Sequence, residues 1–183
     1  MKYIVNVSLI LLAFFGFESE MNGQNRIKWM TWEEALEANK TNPKKFVVDI
    51  YTDWCKWCKT MDKETFQKDH IARYINKHYY AIKFDAETKS DIDFNGTTYR
   101  FIKKGRKGYH ELALAITQGQ LSYPTVVFLD EKLSVIQPIP GFQDAQMFEL
   151  IMTYFSENHY KNTPWAVYTR EYKSEIKTHT VKY

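Results

Sequence analysis

The chain has 183 residues, of which 44% are hydrophobic and 16% are aromatic, and its formal net charge at pH 7 is +3. This length suits one domain with a substantial core rather than two, and the apolar content excludes a disordered chain. The small charge, with no basic stripe ahead of residue 160, excludes nucleic acid as an expected partner.

The N-terminal residues differ in composition from the rest of the chain. Lys2 supplies a positive charge, residues 4–17 form an apolar run, and residues 18–24 are polar. This order is typical of a secretory signal peptide over residues 1–23, and it predicts an exported protein, periplasmic or extracellular, with no stable membrane span after cleavage. An N-terminal membrane anchor is the alternative, although a span needs roughly 20 apolar residues.

The next segments predict a helix and then a buried strand. Thr31 and Glu34 have the spacing of a capping box, so a helix is expected to continue to about Lys40. Residues 46–51 are short, continuously apolar and rich in branched and aromatic side chains, which is typical of a buried strand. Asp49 interrupts this strand, where an unpaired carboxylate would cost several kcal/mol.

Helical spacing follows in residues 58–66, and a second helix is expected to begin near Asp69 and to include residues 71–75. Residues 80–85 are apolar and aromatic and predict another strand. These elements alternate in the order expected of an α/β domain with a central sheet, which we assign to residues 24–159.

A polar insert is expected at about residues 86–120. Within it, Asn95 and Gly96 lie between two strand-like runs and predict a hairpin turn. Residues 103–108 form a basic turn, which is expected to be a solvated loop, and residues 109–117 predict a short helix.

The C-terminal part predicts two strands and one long helix. The strands are expected at residues 125–129 and 133–137, and the helix at 144–158. The predicted buried face of this helix comprises Met147, Phe148, Ile151, Met152 and Phe155. Residues 160–183 are assigned as a C-terminal tail, either packed on the domain as a strap or partly disordered.

The chain has two cysteines, Cys55 and Cys58, at the point where a strand gives way to a helix. A disulfide between them closes so small a ring that it stabilises the fold by only roughly 2 kcal/mol. Side chains at i and i+3 of a helix lie about 5–6 Å apart, so both the oxidised and the reduced pair are accessible. The spacing therefore favours thiol–disulfide exchange over a structural role. No metal site is predicted, because zinc needs two more ligands and His70 and His78 are too far apart in sequence.

Several ordered features resemble the thioredoxin superfamily over most of the chain. The motif is similar to exported thioredoxin-like proteins with a Cys-Lys-Trp-Cys site, including the disulfide-interchange and DUF255-type branches. The resemblance implies a thioredoxin fold, with a central mixed β-sheet flanked by helices and an insert before the cis-proline strand. The matching features are Asp49 in its strand, Trp54-Cys55-Lys56-Trp57-Cys58-Lys59 opening a helix, Lys83, Tyr123-Pro124-Thr125 and Gly141.

The two cysteines receive different roles. Cys55 is expected at a helix N-terminus, where free backbone N–H groups and the helix dipole favour a thiolate, so it is the predicted nucleophile with a lowered thiol pKa. Lys56 and Lys59 are expected to support the anion. Cys58 is the predicted resolving thiol, which attacks the mixed disulfide and releases the partner. Lys56-Trp57 departs from the Gly-Pro of ordinary thioredoxins.

The resemblance implies that Asp49 lies buried beneath Cys58, where burial raises its pKa toward that of a useful base. It also implies that Lys83, on the neighbouring strand, pairs with this acid. An Asp49 on a solvated face and a Lys83 directed to the surface are the alternatives.

Substrate contacts are expected from four residues. Pro124 resembles the family's cis-proline, and the backbone of Tyr123 would then pair with an extended substrate segment. Trp54 and Trp57 are expected to form an apolar patch around the sulfurs, with a place in the core as the alternative for each.

Taken together, these features predict an exported thiol–disulfide oxidoreductase that acts on protein dithiols and disulfides. Reductase activity is favoured, because Asp49 and Lys83 resemble the reducing branch. The expected partners are cysteine-containing proteins and a thiol–disulfide electron-transfer partner, and no cofactor is expected beyond the cysteine pair. The alternative is a thioredoxin-like partner-binding module whose dithiol is not catalytic, with the insert at about 86–120 and the tail recruiting the partner.

Overall fold

The computed structural model describes residues 26–180, with side chains through residue 172, so the predicted signal peptide at 1–23 lies outside the described residues. Six α-helices in this range are α1 (Trp32–Thr41), α2 (Lys56–Met61), α3 (Asp69–His78), α4 (Glu111–Ile116), α5 (Ala145–Ser156) and α6 (Trp165–Thr180). A π-helical turn (Asp62–Phe66) continues α2, and a 3₁₀ turn (His159–Lys161) follows α5. The strands are β1 (Trp29–Met30), β2 (Lys45–Tyr51), β3 (Tyr79–Asp85), β4 (Ile92–Phe94), β5 (Thr97–Tyr99), β6 (Phe101–Lys104), β7 (Lys107–His110), β8 (Thr125–Leu129) and β9 (Val135–Pro140).

Five strands form one mixed sheet in the order β1-β3-β2-β8-β9. The central strand β2 is parallel to β3 and antiparallel to β8. Its successive side chains enter two different cores: Val47 packs with α3, α5 and α6, and Val48 packs with α1 and α4. Burial on both faces explains why β2 is continuously apolar rather than alternating. The predicted fold class, a central mixed β-sheet flanked by helices, is confirmed.

Local sequence signals located several elements correctly. The Thr31 hydroxyl accepts from the Glu34 N–H at 3.2 Å, and a Glu34 carboxylate oxygen accepts from the Thr31 N–H at 2.9 Å, so the capping box is present. Asn95 and Gly96 have φ of 52° and 77°, the left-handed values that a tight hairpin turn requires, and they join β4 to β5.

The insert contains a second hairpin that the sequence did not predict. Strands β6 and β7 pair antiparallel across the residues expected to form a solvated loop, with Lys104 opposite Lys107. Because Tyr109 and His110 belong to β7, the helix predicted from residue 109 begins only at Glu111. The side chain of His110 caps that helix by accepting from the Leu112 N–H at 3.2 Å.

Two predictions for the C-terminal part were wrong in detail. Strand β9 extends to Pro140 rather than ending at residue 137, which is possible because β9 is the edge strand and prolines need no ladder partner on that side. Met147, expected on the buried face of α5, is 38% exposed, whereas Phe148 is fully buried.

The described part of the predicted tail packs on the domain. Tyr168 of α6 is buried in the core beside α5, and its hydroxyl lies 2.6 Å from the Thr153 hydroxyl. This arrangement corresponds to the strap alternative. No helix within residues 26–180 combines the length and the apolar character needed to cross a bilayer.

Candidate functional site

Cys55 and Cys58 are joined by a disulfide bond, with their Cα atoms 5.3 Å apart, at the start of α2. Cys55 is the N-cap residue of this helix: its backbone is extended, and its sulfur accepts from the Cys58 N–H at 3.1 Å. The Cys55 N–H donates to the Thr52 carbonyl at 3.0 Å, which fixes the turn between β2 and α2. Both cysteines are largely buried in this oxidised state, with 4% and 3% of their surface exposed.

An exposed aromatic rim surrounds the disulfide. Trp54 and Trp57 are 59% and 60% exposed, so the alternative that placed them in the core is wrong. Trp54 meets Tyr123 edge to face at 5.8 Å between ring centroids, and Trp57 lies 5.6 Å from the ring of Phe142. Phe142, which was not predicted from the sequence, follows Gly141 of the family motif.

The Tyr123–Pro124 peptide bond is cis, as the resemblance implied. The Pro124 carbonyl accepts from the Gly141 N–H at 2.8 Å, which ties the start of β8 to the segment that carries Phe142. Within residues 26–180, the backbone of Tyr123 makes no hydrogen bond. Its donor and acceptor are therefore available to an extended segment of another chain.

Asp49 is buried beside Lys83. Only 1% of its surface is exposed, which excludes the solvated alternative. The parallel register places Asp49 opposite Lys83. The Lys83 Nζ lies 2.7 Å from Asp49 Oδ2, so the predicted pairing is present and the alternative that directed Lys83 to the surface is wrong. Burial raises the pKa of Asp49 to about 6, and the attraction of the Lys83 ammonium partly offsets this increase. The other oxygen, Oδ1, is buried with no hydrogen-bond partner in the described part of the protein.

Asp62 completes this charged group and was missed in the sequence. Its carboxylate accepts a short hydrogen bond from Lys83 Nζ, and its backbone N–H donates to the Cys58 and Lys59 carbonyls. Lys83 therefore connects the buried Asp49 to the end of the helix that carries Cys58. No direct hydrogen bond joins Asp49 to Cys58 within residues 26–180. Asp62 follows Cys58 by one helical turn, a spacing that is visible in the sequence but uninformative without knowledge of the Lys83 position.

The Lys83 ammonium also lies over aromatic rings, at 5.1 Å from Trp29, 5.2 Å from Tyr51 and 5.5 Å from Phe66. Burial alone would lower the pKa of Lys83, but its two carboxylate partners outweigh that effect and raise it. Lys83 is therefore a permanent cation at this site.

The other predicted supporting residues, Lys56 and Lys59, are exposed and have no ion-pair partner among the described residues. Their effect on Cys55 stays a prediction. Among the side chains described, those of residues 26–172, no group of three or more His, Cys, Asp and Glu is arranged to hold a metal ion.

A cleft of about 690 Å³ opens beside Trp54, between the end of β3 and the β6–β7 hairpin. We call it the hairpin cleft. Lys107 of the hairpin places its Nζ 5.1 Å from the Trp54 ring, and the Trp54 Nε1–H donates to Glu87 at 3.1 Å. The residues that line the cleft are Asp53, Trp54, Asp85, Glu87, Lys89, Phe101, Lys103, Arg106, Lys107 and Gly108.

The sheet order, the disulfide at the start of α2 and the cis-proline before β8 define a thioredoxin fold with a two-cysteine site. The chain belongs to the family described as "Protein of unknown function, DUF255" (Thioredox_DsbH), whose family model matches residues 20–164.

The chain is also similar to individual proteins. An uncharacterized protein of Caenorhabditis elegans is 34% identical over 121 residues, which are 66% of this chain but only 14% of that protein. A thioredoxin-fold protein from Helicobacter pylori has a TM-score of 0.56 at 21% identity, covering 76% of this chain and 86% of that one. A structure described as DsbH oxidoreductase has a TM-score of 0.52 at 16% identity, with 72% and 85% of the two chains covered. At these identities the two structures support the fold alone.

Proposed function

We propose that this protein is an exported thiol–disulfide oxidoreductase that reduces disulfides in protein substrates through Cys55 and Cys58. The observation that carries the proposal is the position of the disulfide at the start of α2, inside a rim that pairs Trp54 with Tyr123 and Trp57 with Phe142. The neighbouring Tyr123 backbone is unpaired within the described residues and can bind an extended substrate segment.

The proposed reaction begins with the reduced protein. The Cys55 thiolate attacks one sulfur of a substrate disulfide, forms a mixed disulfide and expels the other substrate sulfur as a thiolate. The Cys58 thiol then loses its proton, attacks the Cys55 sulfur and releases the second substrate thiolate. Two electrons pass from the dithiol to the substrate, and Cys55–Cys58 becomes the disulfide. A second thiol–disulfide partner, of the dithiol class, returns the protein to the reduced state.

Asp49 is the proposed acceptor of the Cys58 proton. A base works best when its pKa lies near the working pH, and burial has raised the pKa of Asp49 to about 6. Its Oδ1 atom is buried and lacks a hydrogen-bond partner in the described part of the chain, so it has an acceptor site open for this proton.

Reduction of insulin coupled to dithiothreitol tests the proposal directly. We expect the wild-type protein to accelerate insulin precipitation, and Cys55→Ser to abolish that acceleration. Cys58→Ser is expected to accumulate mixed disulfides on Cys55, visible on non-reducing gels, because the resolving thiol is gone. An inactive wild-type protein together with no trapped species in Cys58→Ser would contradict the proposal.

The direction of electron transfer is part of the proposal. Reduction potentials in this fold range from about −270 to −120 mV. We expect equilibration with glutathione to give a value in the lower part of this range, as befits a reductase. A value near the upper limit would instead indicate an oxidant.

Export rests on the composition of residues 1–23. We propose that this segment is a cleaved signal peptide, with an N-terminal membrane anchor as the alternative. Fractionation and N-terminal sequencing of the expressed protein distinguish the two, because only cleavage removes residues 1–23.

One observation favours a different function, a partner-binding module with a static disulfide. Both cysteines are nearly buried in the oxidised state. For that module, dithiothreitol would reduce Cys55–Cys58 slowly, and the Cys55→Ser/Cys58→Ser double variant would retain partner binding. For the oxidoreductase, reduction is expected to be fast.

A further inference from the structure

The hairpin cleft has two walls of opposite charge. One wall is the β6–β7 hairpin, which contributes Lys103, Arg106 and Lys107. The facing wall comes from the ends of β2 and β3 and carries the carboxylates of Asp53, Asp85 and Glu87. Trp54, the residue before Cys55, lies between the two walls.

Two of the three carboxylates of the second wall, Asp85 and Glu87, already accept hydrogen bonds inside the protein. A Glu87 oxygen accepts from the Trp54 indole at 3.1 Å, and the Glu87 N–H donates to Asp85 at 2.9 Å. Burial and the nearby charges of Asp53 and Glu87 raise the pKa of Asp85. The same segment contributes one cation to the cleft, Lys89, so its three carboxylates still leave this wall with an excess of negative charge. It repels further anions and gains nothing from an acidic ligand.

The cations of the hairpin wall are in the opposite situation. Within residues 26–172, Lys103 and Arg106 have no ion-pair partner, and Lys107 has only the face of Trp54 at 5.1 Å. An unpaired group of three cations on one short hairpin, next to an exposed aromatic ring, favours a ligand that brings carboxylates.

Phe101 adds an aromatic surface to the cleft. Phe101 lies across the hairpin over Gly108, so closely that a Cβ atom added at Gly108 would stand 2.1 Å from the Phe101 ring and 2.5 Å from the Ile102 carbonyl oxygen. The absence of a side chain at residue 108 therefore leaves the space that the Phe101 ring occupies. An extended peptide can pass over this surface with its side chains toward the hairpin cations.

We propose that the hairpin cleft binds an acidic segment of the protein substrate, adjacent to the substrate cysteine that reacts with Cys55. The inference rests on the proposed function, because Trp54 joins the cleft to the cysteine pair. Substrate glutamate and aspartate side chains would contact Lys103, Arg106 and Lys107, and the carboxylates of the facing wall would keep acidic side chains on the hairpin side. The insert thus sets substrate choice, whereas the cysteines perform the chemistry.

Three synthetic peptides test the inference. Each contains one cysteine in a disulfide with a small neutral thiol, flanked on both sides by glutamate, by glutamine or by lysine. The experiment uses the full chain after any processing, in its reduced form. The readout is the rate at which each peptide oxidises it. We expect the glutamate peptide to react about tenfold faster than the glutamine peptide at low salt, with the difference shrinking at high salt. The lysine peptide is expected to be the slowest.

A charge variant and a matched control make the assignment specific. In the Lys103→Gln/Arg106→Gln/Lys107→Gln variant, the ratio of the glutamate rate to the glutamine rate is expected to fall to within about twofold of unity. The control Lys28→Gln/Lys77→Gln/Lys132→Gln removes the same charge from exposed positions outside the cleft and is expected to keep the tenfold ratio. If both variants lose the ratio equally, net charge rather than the cleft is responsible and the inference is wrong.

A binding measurement separates this inference from the proposed activity. A glutamate peptide with serine in place of cysteine is titrated into the oxidised protein, and backbone amide shifts are followed by NMR. We expect the largest shifts at residues 101–110, and none there with the lysine peptide. Shifts of equal size with both peptides would overturn the inference, even if all disulfide peptides react. Hairpin shifts in a protein that reduces no disulfide would instead contradict only the proposed activity.

Discussion

The carboxyl group of Asp49 sits in the middle of the central strand, where an apolar side chain would pack at no electrostatic cost. Asp49 is buried while the side chain of its partner Lys83 is 22% exposed, and the desolvation of a buried charge commonly exceeds the Coulombic gain of its ion pair. Because one carboxylate oxygen is also left without a hydrogen bond, Asp49 is expected to reduce the stability of the fold. A residue that costs stability at the centre of a site is a candidate for chemistry rather than packing.

Asp49→Asn is expected to raise the free energy of unfolding of the oxidised protein at pH 7.5 by roughly 1–3 kcal/mol and to have little effect at pH 4. The sign follows from the pKa of Asp49, which rises from 3.8 when exposed to about 6 in the fold. Between these values the folded state holds a proton that the unfolded state releases, so wild-type stability falls as the pH increases from about 4 to 6. Urea denaturation at both pH values measures the difference. An equal effect of the substitution at pH 4 and pH 7.5 would contradict the pKa assignment.

Lys83 and Asp62 are expected to shift the pH dependence of mixed-disulfide resolution in opposite directions. Lys83→Met removes the cation that lowers the pKa of Asp49, so the rate should rise only at higher pH. Asp62→Asn removes an anion that raises this pKa, so the inflection should move to lower pH. Rapid-quench mass spectrometry of the Cys55 mixed disulfide measures the rate of resolution. Glu64→Gln, on the same helical turn as Asp62, serves as the control. Shifts in the same direction would indicate general damage instead of electrostatic coupling.

At the level of elements, the β6–β7 hairpin shows how a short insert changes the surface of a common fold. Its strands pair only with each other, in a two-stranded sheet separate from the central one. A lone hairpin is marginally stable in water, so its contacts with neighbouring elements matter. The Arg100 carbonyl accepts from the Glu111 N–H at 2.8 Å, which closes the base of the hairpin. The Ala86 carbonyl accepts from the His110 N–H at 2.7 Å, which ties β7 to the residue that follows β3.

Gly108→Ala is expected to disorder the hairpin while leaving the central sheet intact. The added methyl group would overlap the Phe101 ring and the Ile102 carbonyl. Overpacking of this kind lowers stability by about 1–3 kcal/mol. Hydrogen exchange should show faster exchange at residues 101–110 and unchanged protection in β2 and β8. Lys104→Ala, at an exposed position of the same hairpin, is the matched control and should leave exchange unaltered. Unchanged exchange in Gly108→Ala would mean that Phe101 does not lie against residue 108.

At the level of the whole molecule, the C-terminal helix α6 completes one of the two cores. Tyr168 packs against Tyr154 at 5.0 Å between ring centroids and is 6% exposed. The ring centroid of Trp165 lies 5.0 Å from that of Tyr154. This aromatic group covers the outer side of α5, which in turn covers the sheet face that includes Phe128. Stability therefore depends on residues that follow the predicted domain limit at 159.

Tyr168→Ala is expected to lower the free energy of unfolding by about 3–5 kcal/mol, since it empties an aromatic site in the core. Tyr168→Phe should cost less, because only the hydroxyl contact with Thr153 is lost. Arg170→Ala, on the exposed side of the same helix, is the control and should change stability by less than about 0.5 kcal/mol. Equal stability of the alanine and wild-type proteins would show that α6 is not part of the core. The rate at which dithiothreitol reduces Cys55–Cys58 is expected to be the same in all three variants.

Features that depend on neighbours in sequence were predictable from the sequence. The capping box of Thr31 and Glu34, the turn at Asn95 and Gly96, and the cysteine pair at a helix start are each set within four residues, by backbone hydrogen bonds and allowed dihedral angles. The resemblance added Asp49 and the cis-proline, because their order along the chain is itself a signal.

The remaining features were decided only by the tertiary structure, because they depend on residues far apart in sequence. Asp62 and Lys83 are 21 residues apart and meet only because β3 lies parallel to β2 and Asp62, at the end of α2, is next to Lys83 of β3. Trp54 meets Glu87 and Lys107 for the same reason, across the end of the sheet. The sequence by itself therefore determined the disulfide-forming pair and the fold that carries it. The folded chain decided which charges surround that pair, since charge acts through distance in space and not through separation along the chain.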